Sequence, residues 1–275
     1  VDIILEQYRT RLQTVKKRAP ATLIAFDKAA KKFQYHLDLI DKKAADMEPW
    51  DLEEYLAGLD YAATTKHTHW IHLGGALRYA HRRGMIRKDP TLDVYLAPAP
   101  REEPKTIPNA ELRAMKARIH SDRRWLMYHL LTYTGMRQGE IRSLRWSNVD
   151  LAAGSLHVER GKGDRTRYVP IHPVLGEVLF ELADSPETYV VTTRGTCRVA
   201  YDTWIDDLRG FAPGFTAHWF RRTVTSSLLD NGVEERLVKK MLGWEEQTVM
   251  GRFYDKTSLQ LIQRAVLKLY ADDPI

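Results

Sequence analysis

Apolar residues return every three or four positions through the first part of the chain. Ile4, Leu5, Tyr8, Leu12 and Val15 share one face of a helix expected over residues 2–18. Pro20 sits where a first helical turn tolerates a missing N–H and opens a second helix, with Leu23, Phe26, Ala30, Phe33 and Leu37 as its stripe. A third helix is expected at about 50–59. A fourth starts at Thr64 or Thr65, either of which can cap it, and runs to Arg83, where Gly84 stops it. No alternating, strand-like run occurs before residue 150.

The stretch APAPREEPKTIP, residues 97–108, carries four prolines. It cannot continue a helix and reads as a semi-extended linker with nothing to bury. Beyond it, helices are expected at about 109–120 and 122–134, with another after Arg137. SLHVERGKGDRTRYVPI then shows two β-rich runs around Gly161-Lys162-Gly163-Asp164, a hairpin pattern. A helix at 173–183, a short strand YVVTT, and helices near 199–209, 217–231, 234–242, 247–255 and 258–270 complete the chain. The pattern thus divides into a helical domain over 1–96, a linker over 97–108, and a mixed domain over 109–275. The whole is mainly α with a small β-sheet.

Composition narrows the function classes. Of 275 residues, 44% are apolar and 28% charged, an ordinary folded balance. One cysteine, Cys197, excludes an intramolecular disulfide and an all-cysteine metal cluster. No apolar run approaches the roughly 20 residues that cross a bilayer, and the first residues lack the layout of a signal peptide. A cytoplasmic protein with no membrane partner is expected. Net charge is +6 with pI near 9.2, which favours a polyanionic partner. The charges are also sorted. Residues 44–60 hold six acids and no Lys or Arg, whereas 64–88 hold six Lys or Arg, four His and no acid.

Four segments could carry chemistry. In TGMRQGEIRSLRW, Gly135 breaks one helix, Arg137 begins the next, and Glu140 is placed to hold that guanidinium. An arginine clamped at a helix start suits a phosphate, although an ordinary surface ion pair has the same spacing. In RGKGDRTRYVP, glycines flank Lys162 at a hairpin tip; a plain basic turn looks alike. In TAHWFRRTVTSSLLDNG, His218 and Arg221 are three apart and share a helical face, which is also compatible with a solvated helix edge. In MLGWEEQTVMGRFYDK, Trp244 offers one indole N–H and Tyr254 a phenol, although Tyr254 by itself reads equally as a packing residue of an amphipathic helix.

Taken in order, T-G-x-R-x-x-E, a hairpin lysine, H-x-x-R, L-G-W and a C-terminal tyrosine resemble the tyrosine recombinase (phage integrase) family. The resemblance covers nearly the whole chain. The segment ATTKHTHW…LRYAHRRGMIRKDP looks like that family's core-binding domain. Trp244 stands where many relatives carry histidine. The resemblance implies a site-specific recombinase of two domains, without an arm-binding domain. Tyr254 would attack a DNA phosphorus to form a 3′-phosphotyrosine. Arg137 and Arg221 would neutralise the non-bridging oxygens, with Trp244 as a further donor. Lys162 would protonate the leaving 5′-oxygen, His218 would deprotonate Tyr254 or bind an oxygen, and Glu140 would orient Arg137. No metal and no cofactor are implied.

The implied partner is double-stranded attachment-site DNA, clamped between the two domains. Candidate contacts are Lys28, Lys31 and Lys32 on the second helix, and Lys66, His69, Arg78 and Arg82 on the fourth. The last helix, with Leu259, Ile262, Val266, Leu267 and Tyr270 as its stripe, would dock on a neighbouring subunit. That gives a homotetramer on two DNA sites, although packing on its own domain remains open. Accessory DNA-bending or directionality factors fit the same picture, as does location in a host cytoplasm or nucleoid. A chromosome-dimer or transposon resolvase would use the same chemistry. A non-catalytic DNA-binding regulator would leave the motifs of 134–254 unexplained.

Overall fold

The computed structural model describes residues 2–98, 105–159, 166–193, 197–244 and 259–275. The chain forms two compact units, Val1–Glu102 and Glu103–Ile275.

The first unit is helical, with α1 (Ile3–Thr14), α2 (Pro20–Leu39), α3 (Pro49–Gly58) and α4 (Ala63–Arg82). Its starts follow local chemistry. The Asp2 carboxylate accepts the Ile4 N–H at 2.8 Å and caps α1. Proline opens both α2 and α3. At the head of α3, Asp51 accepts the Glu48 N–H at 3.0 Å and two bonds from Lys42 Nζ at 2.7 and 2.8 Å. α1 ends four residues before its expected limit, so Val15 falls outside the stripe and is exposed. α4 stops where Gly84 takes φ +71. The core is built on Phe26, Phe33, Leu37, Leu52, Leu56, Leu73 and Leu77.

The second unit packs α5 (Asn109–Ala117), α6 (Asp122–Thr134), α7 (Gln138–Ser143), α8 (Pro173–Glu181), α9 (Tyr201–Phe211), α10 (Ala217–Asp230), α11 (Glu235–Leu242) and α12 (Leu259–Val266) around a small sheet. α6 is the central helix: residues Leu126 to Thr134 are all buried, and it packs on α8 and α10. The sheet runs β1 (Val149–Asp150), β2 (Ser155–Val158), β3 (Arg167–Pro170), antiparallel throughout, with Leu156 opposite Val169.

Several expectations are corrected. YVVTT forms no ladder strand; Tyr189 and Thr192 make only isolated bridges, to Arg145 and Arg198. β1 carries too few residues to show a period. The helix expected at 247–255 lies outside the described residues. Ile107, assigned to a linker with nothing to bury, is 2% exposed, and its N–H donates to Thr223 Oγ1 at 2.8 Å. It therefore belongs to the second unit's core.

The tail differs most. Ile262, Val266, Leu269 and Tyr270 are buried in their own unit, where α12 packs on β3 and α11. The Tyr270 hydroxyl donates to the Thr132 carbonyl at 3.0 Å, and Asp273 pairs with Arg113 at 2.7 Å. The stripe expected to dock on a neighbouring subunit is thus satisfied within the chain. Leu267 is the member left exposed.

Candidate active site

The site begins at the end of α6. Gly135 takes φ +59, and the Thr134 hydroxyl accepts the Met136 N–H at 3.1 Å, which fixes the turn. Arg137 becomes the residue before α7. Its N–H donates to Glu140 Oε2 at 2.8 Å and its Nη1 to Oε1 at 3.1 Å. The Arg137 side chain is 48% exposed and Glu140 only 12%. From behind, Arg167 of β3 donates Nη1 to Oε1 and Nη2 to Oε2, both at 2.8 Å. Burial alone would raise the Glu140 carboxyl; the Arg167 bonds and charge, then those of Arg137, outweigh it and hold the pKa at about 2. Glu140 is therefore ionised at neutral pH.

α10 supplies the second arginine. Arg221 is 4% exposed, and donates Nη1 to the Gly135 carbonyl at 2.8 Å and Nη2 to the Leu242 carbonyl at 2.6 Å. It joins the turn before Arg137 to the end of α11. There Gly243 takes φ +65 and the Trp244 N–H donates to the Lys239 carbonyl at 2.9 Å. The reversal brings the Trp244 ring centroid to 5.6 Å from the Arg221 guanidinium carbon. His218, one turn before Arg221, is exposed at its residue surface. Its pKa is lowered by burial first, then by Arg222, Arg221 and Arg137, which favours a neutral imidazole.

Arg137, His218 and Arg221 open into one cavity of about 630 Å³, which Thr216 and Tyr201 help to line. Cationic groups from two segments thus meet a neutral imidazole at an open cleft, an arrangement suited to an anion whose charge grows during reaction. Among the described residues no group of His, Cys, Asp or Glu could hold a metal ion. Lys162 and Tyr254 lie outside the described residues. Tyr270 is not a rival nucleophile: its phenol is buried, bonded to Thr132, and its pKa is raised well above normal by burial.

Sequence reasoning passed over Arg167. Its signal was the period of two: Arg167 and Val169 share the inward face of β3, while Tyr168 between them is exposed. An inward-facing arginine requires acceptors for its fork, and Glu140 supplies two of them.

Among the DNA-contact candidates, Lys28, Lys31, Lys32 and Arg82 are exposed. Lys66 Nζ donates to the Ala57 carbonyl at 3.0 Å, and the half-buried Arg78 reaches Thr91 Oγ1 at 3.4 Å. His69 is a packed side chain, 9% exposed, with its ring 5.3 Å from that of Tyr61. Its pKa is lowered by burial, then by His72 and Lys32. Placing it at a DNA surface from sequence is corrected: the apolar side of α4 takes it inward.

Residues 107–259 match the model of the phage integrase family. The chain is 26% identical to the tyrosine recombinase XerC of Lactobacillus delbrueckii subsp. bulgaricus, over 93% of this chain and 94% of that protein. It is 24% identical to a tyrosine recombinase of Thermosipho africanus, over 88% and 91%. Among solved structures, it resembles a lambda integrase(75-356) dimer bound to a COC' core site, with TM-score 0.73 and 16% identity over 90% of this chain and 98% of that one. A lambda integrase tetramer bound to a Holliday junction gives TM-score 0.72 and 19% identity, over 90% and 77%. The helical architecture with its three-stranded sheet is that fold.

Proposed function

The chain belongs to the phage integrase family and is a site-specific DNA recombinase that cleaves and rejoins strands, and from that premise we propose that Arg137, His218, Arg221 and Trp244 hold one scissile phosphodiester for attack by Tyr254. The observation that carries the proposal is the convergence of Arg137, His218 and Arg221 on one cleft, with the Trp244 indole beside Arg221.

The Tyr254 oxygen bonds to phosphorus as the bond from phosphorus to the 5′-oxygen breaks. The phenolic proton passes to His218, whose lowered pKa leaves it neutral and able to accept. The leaving 5′-oxygen takes a proton from Lys162. Arg137 and Arg221 stabilise the non-bridging oxygens where charge builds, with the indole N–H as an uncharged third donor. Glu140 keeps Arg137 aimed. The phosphotyrosine conserves the diester's energy, so the same steps in reverse reseal a strand without ATP.

The proposed partner is double-stranded attachment-site DNA, with the exposed Lys28, Lys31, Lys32 and Arg82 on its phosphates. Assembly as a homotetramer on two sites is part of the proposal, through surfaces other than the buried stripe of α12.

A nicked duplex whose short downstream fragment, bearing the new 5′-hydroxyl, diffuses away on cleavage tests the chemistry. The unaltered protein is expected to become covalently joined to DNA, seen as a shifted band under denaturing conditions. Tyr254→Phe is expected to bind and give no adduct. An adduct from that variant would remove Tyr254 from the role.

A further inference from the structure

We propose that Arg167 is a positioning residue for strand cleavage: from outside the cleft it fixes both the carboxylate that holds Arg137 and the helix end that presents Trp244. This rests on the function proposed above.

Each oxygen of Glu140 is shared. Oε1 accepts Nη1 of Arg137 at 3.1 Å and Nη1 of Arg167 at 2.8 Å; Oε2 accepts the Arg137 N–H and Nη2 of Arg167, both at 2.8 Å. The carboxylate is thereby a bridge between one arginine that lines the cleft and one that does not. Arg137 is long and half exposed, so its direction depends on what its partner is fastened to. Arg167, 9% exposed, supplies that fastening through a planar fork that matches both oxygens.

The third bond reaches another motif. Arg167 Nε donates to the Met241 carbonyl at 3.1 Å, while Arg221 takes the next carbonyl, Leu242. The last carbonyls of a helix have no partner within it. At the end of α11 two guanidiniums take those places side by side, one from inside the cleft and one from behind. Trp244 follows two residues later, so the same arginine that steadies Arg137 also steadies the turn carrying the indole. Stability is a weak explanation for such a pair, because buried ion pairs replaced by packed apolar groups often lose nothing.

The test uses the full chain with the nicked duplex at saturating concentration in a single turnover. Adduct formation by the unaltered protein examines the parent proposal by itself; its absence would reject that proposal and leave nothing for Arg167 to position. With that adduct in hand, Arg167→Lys keeps the charge and loses the fork. Its adduct rate is expected to fall on the order of 10- to 100-fold, with DNA Kd changed less than about threefold and a melting temperature within a few degrees. In an Arg137→Lys background the same change is expected to cost several-fold less than it does alone, because one of its two targets is gone while the Met241 carbonyl remains. Arg167→Met with Glu140→Leu leaves neither charge of this pair unpaired, is expected to fold, and should be as slow, which separates lost positioning from lost folded protein. An unchanged rate in Arg167→Lys, equal losses with and without Arg137, or a fast, folded double variant would each overturn the proposal.

Discussion

Replacing Gly135 by alanine tests the turn that joins the two arginines. Gly135 has φ +59, a region that costs an L-residue about 1 kcal/mol. A Cβ there would also lie 2.8 Å from Leu242 Cδ2 and 3.2 Å from Val224 Cγ1. Both neighbours are fully buried, so neither can swing into solvent, and overpacking of this kind costs roughly 1–3 kcal/mol. Gly214, in the same unit, provides the control: its φ is +83, and nothing lies within 4 Å of its added Cβ. Gly214→Ala therefore carries only the backbone cost of about 1 kcal/mol, and Gly135→Ala about 2–4 kcal/mol. For a unit of this size those values lower the melting temperature by roughly 2–4 °C and roughly 5–15 °C. Circular-dichroism melts of both variants measure the difference. The displaced Leu242 also bears the carbonyl that Arg221 grips, and Gly135 bears the other. At a temperature where both variants are fully folded, Gly135→Ala is expected to cleave more slowly and Gly214→Ala normally. Equal melting shifts for the two glycines would refute the contact argument, whatever the activities.

Two further outcomes are expected. Arg221→Ala should slow adduct formation on the order of 10²- to 10³-fold, the cost of one lost transition-state donor; a normal single-turnover rate would take Arg221 out of the site. Glu140 should give the fold an acid-sensitive contribution. Its carboxyl is depressed from 4.5 to about 2 by Arg167 and Arg137 against its burial. The depressed group stabilises fully above its unfolded value and loses that contribution as pH falls from about 4.5 through about 2, by at most about 3 kcal/mol. Denaturant unfolding of the unaltered chain and Glu140→Gln at stepped pH reads this as a stability difference that shrinks on acidification. A constant difference would show that the carboxylate gains nothing in the fold.

Proline at the start of α2, glycine in the left-handed turns after α4 and α6, and the three-residue spacings of Arg137 with Glu140 and His218 with Arg221 were legible in the chain. Each follows from backbone geometry over one helical turn, which a sequence states directly. The hairpin of β2 and β3 was legible too, whereas the two-residue β1 is too short to announce itself, and YVVTT shows that β-prone residues need a neighbouring strand before they make a ladder. Position along the chain also misplaced Ile107, His69 and the tail. A stripe on α12 reads the same whether its partner is another molecule or β3 and α11; the groove between those elements exists only after folding. Arg167 shows the same divide. Its inward direction was written in the alternation with Tyr168 and Val169, but Glu140 and the Met241 carbonyl are 27 and 74 positions away. The sequence by itself determined most of the described helices, the glycine stops after α4 and α6 and the order of chemical groups, because those depend on neighbours in the chain. Only the tertiary structure decided which groups share a partner, because hydrogen bonds and packing depend on separation in space.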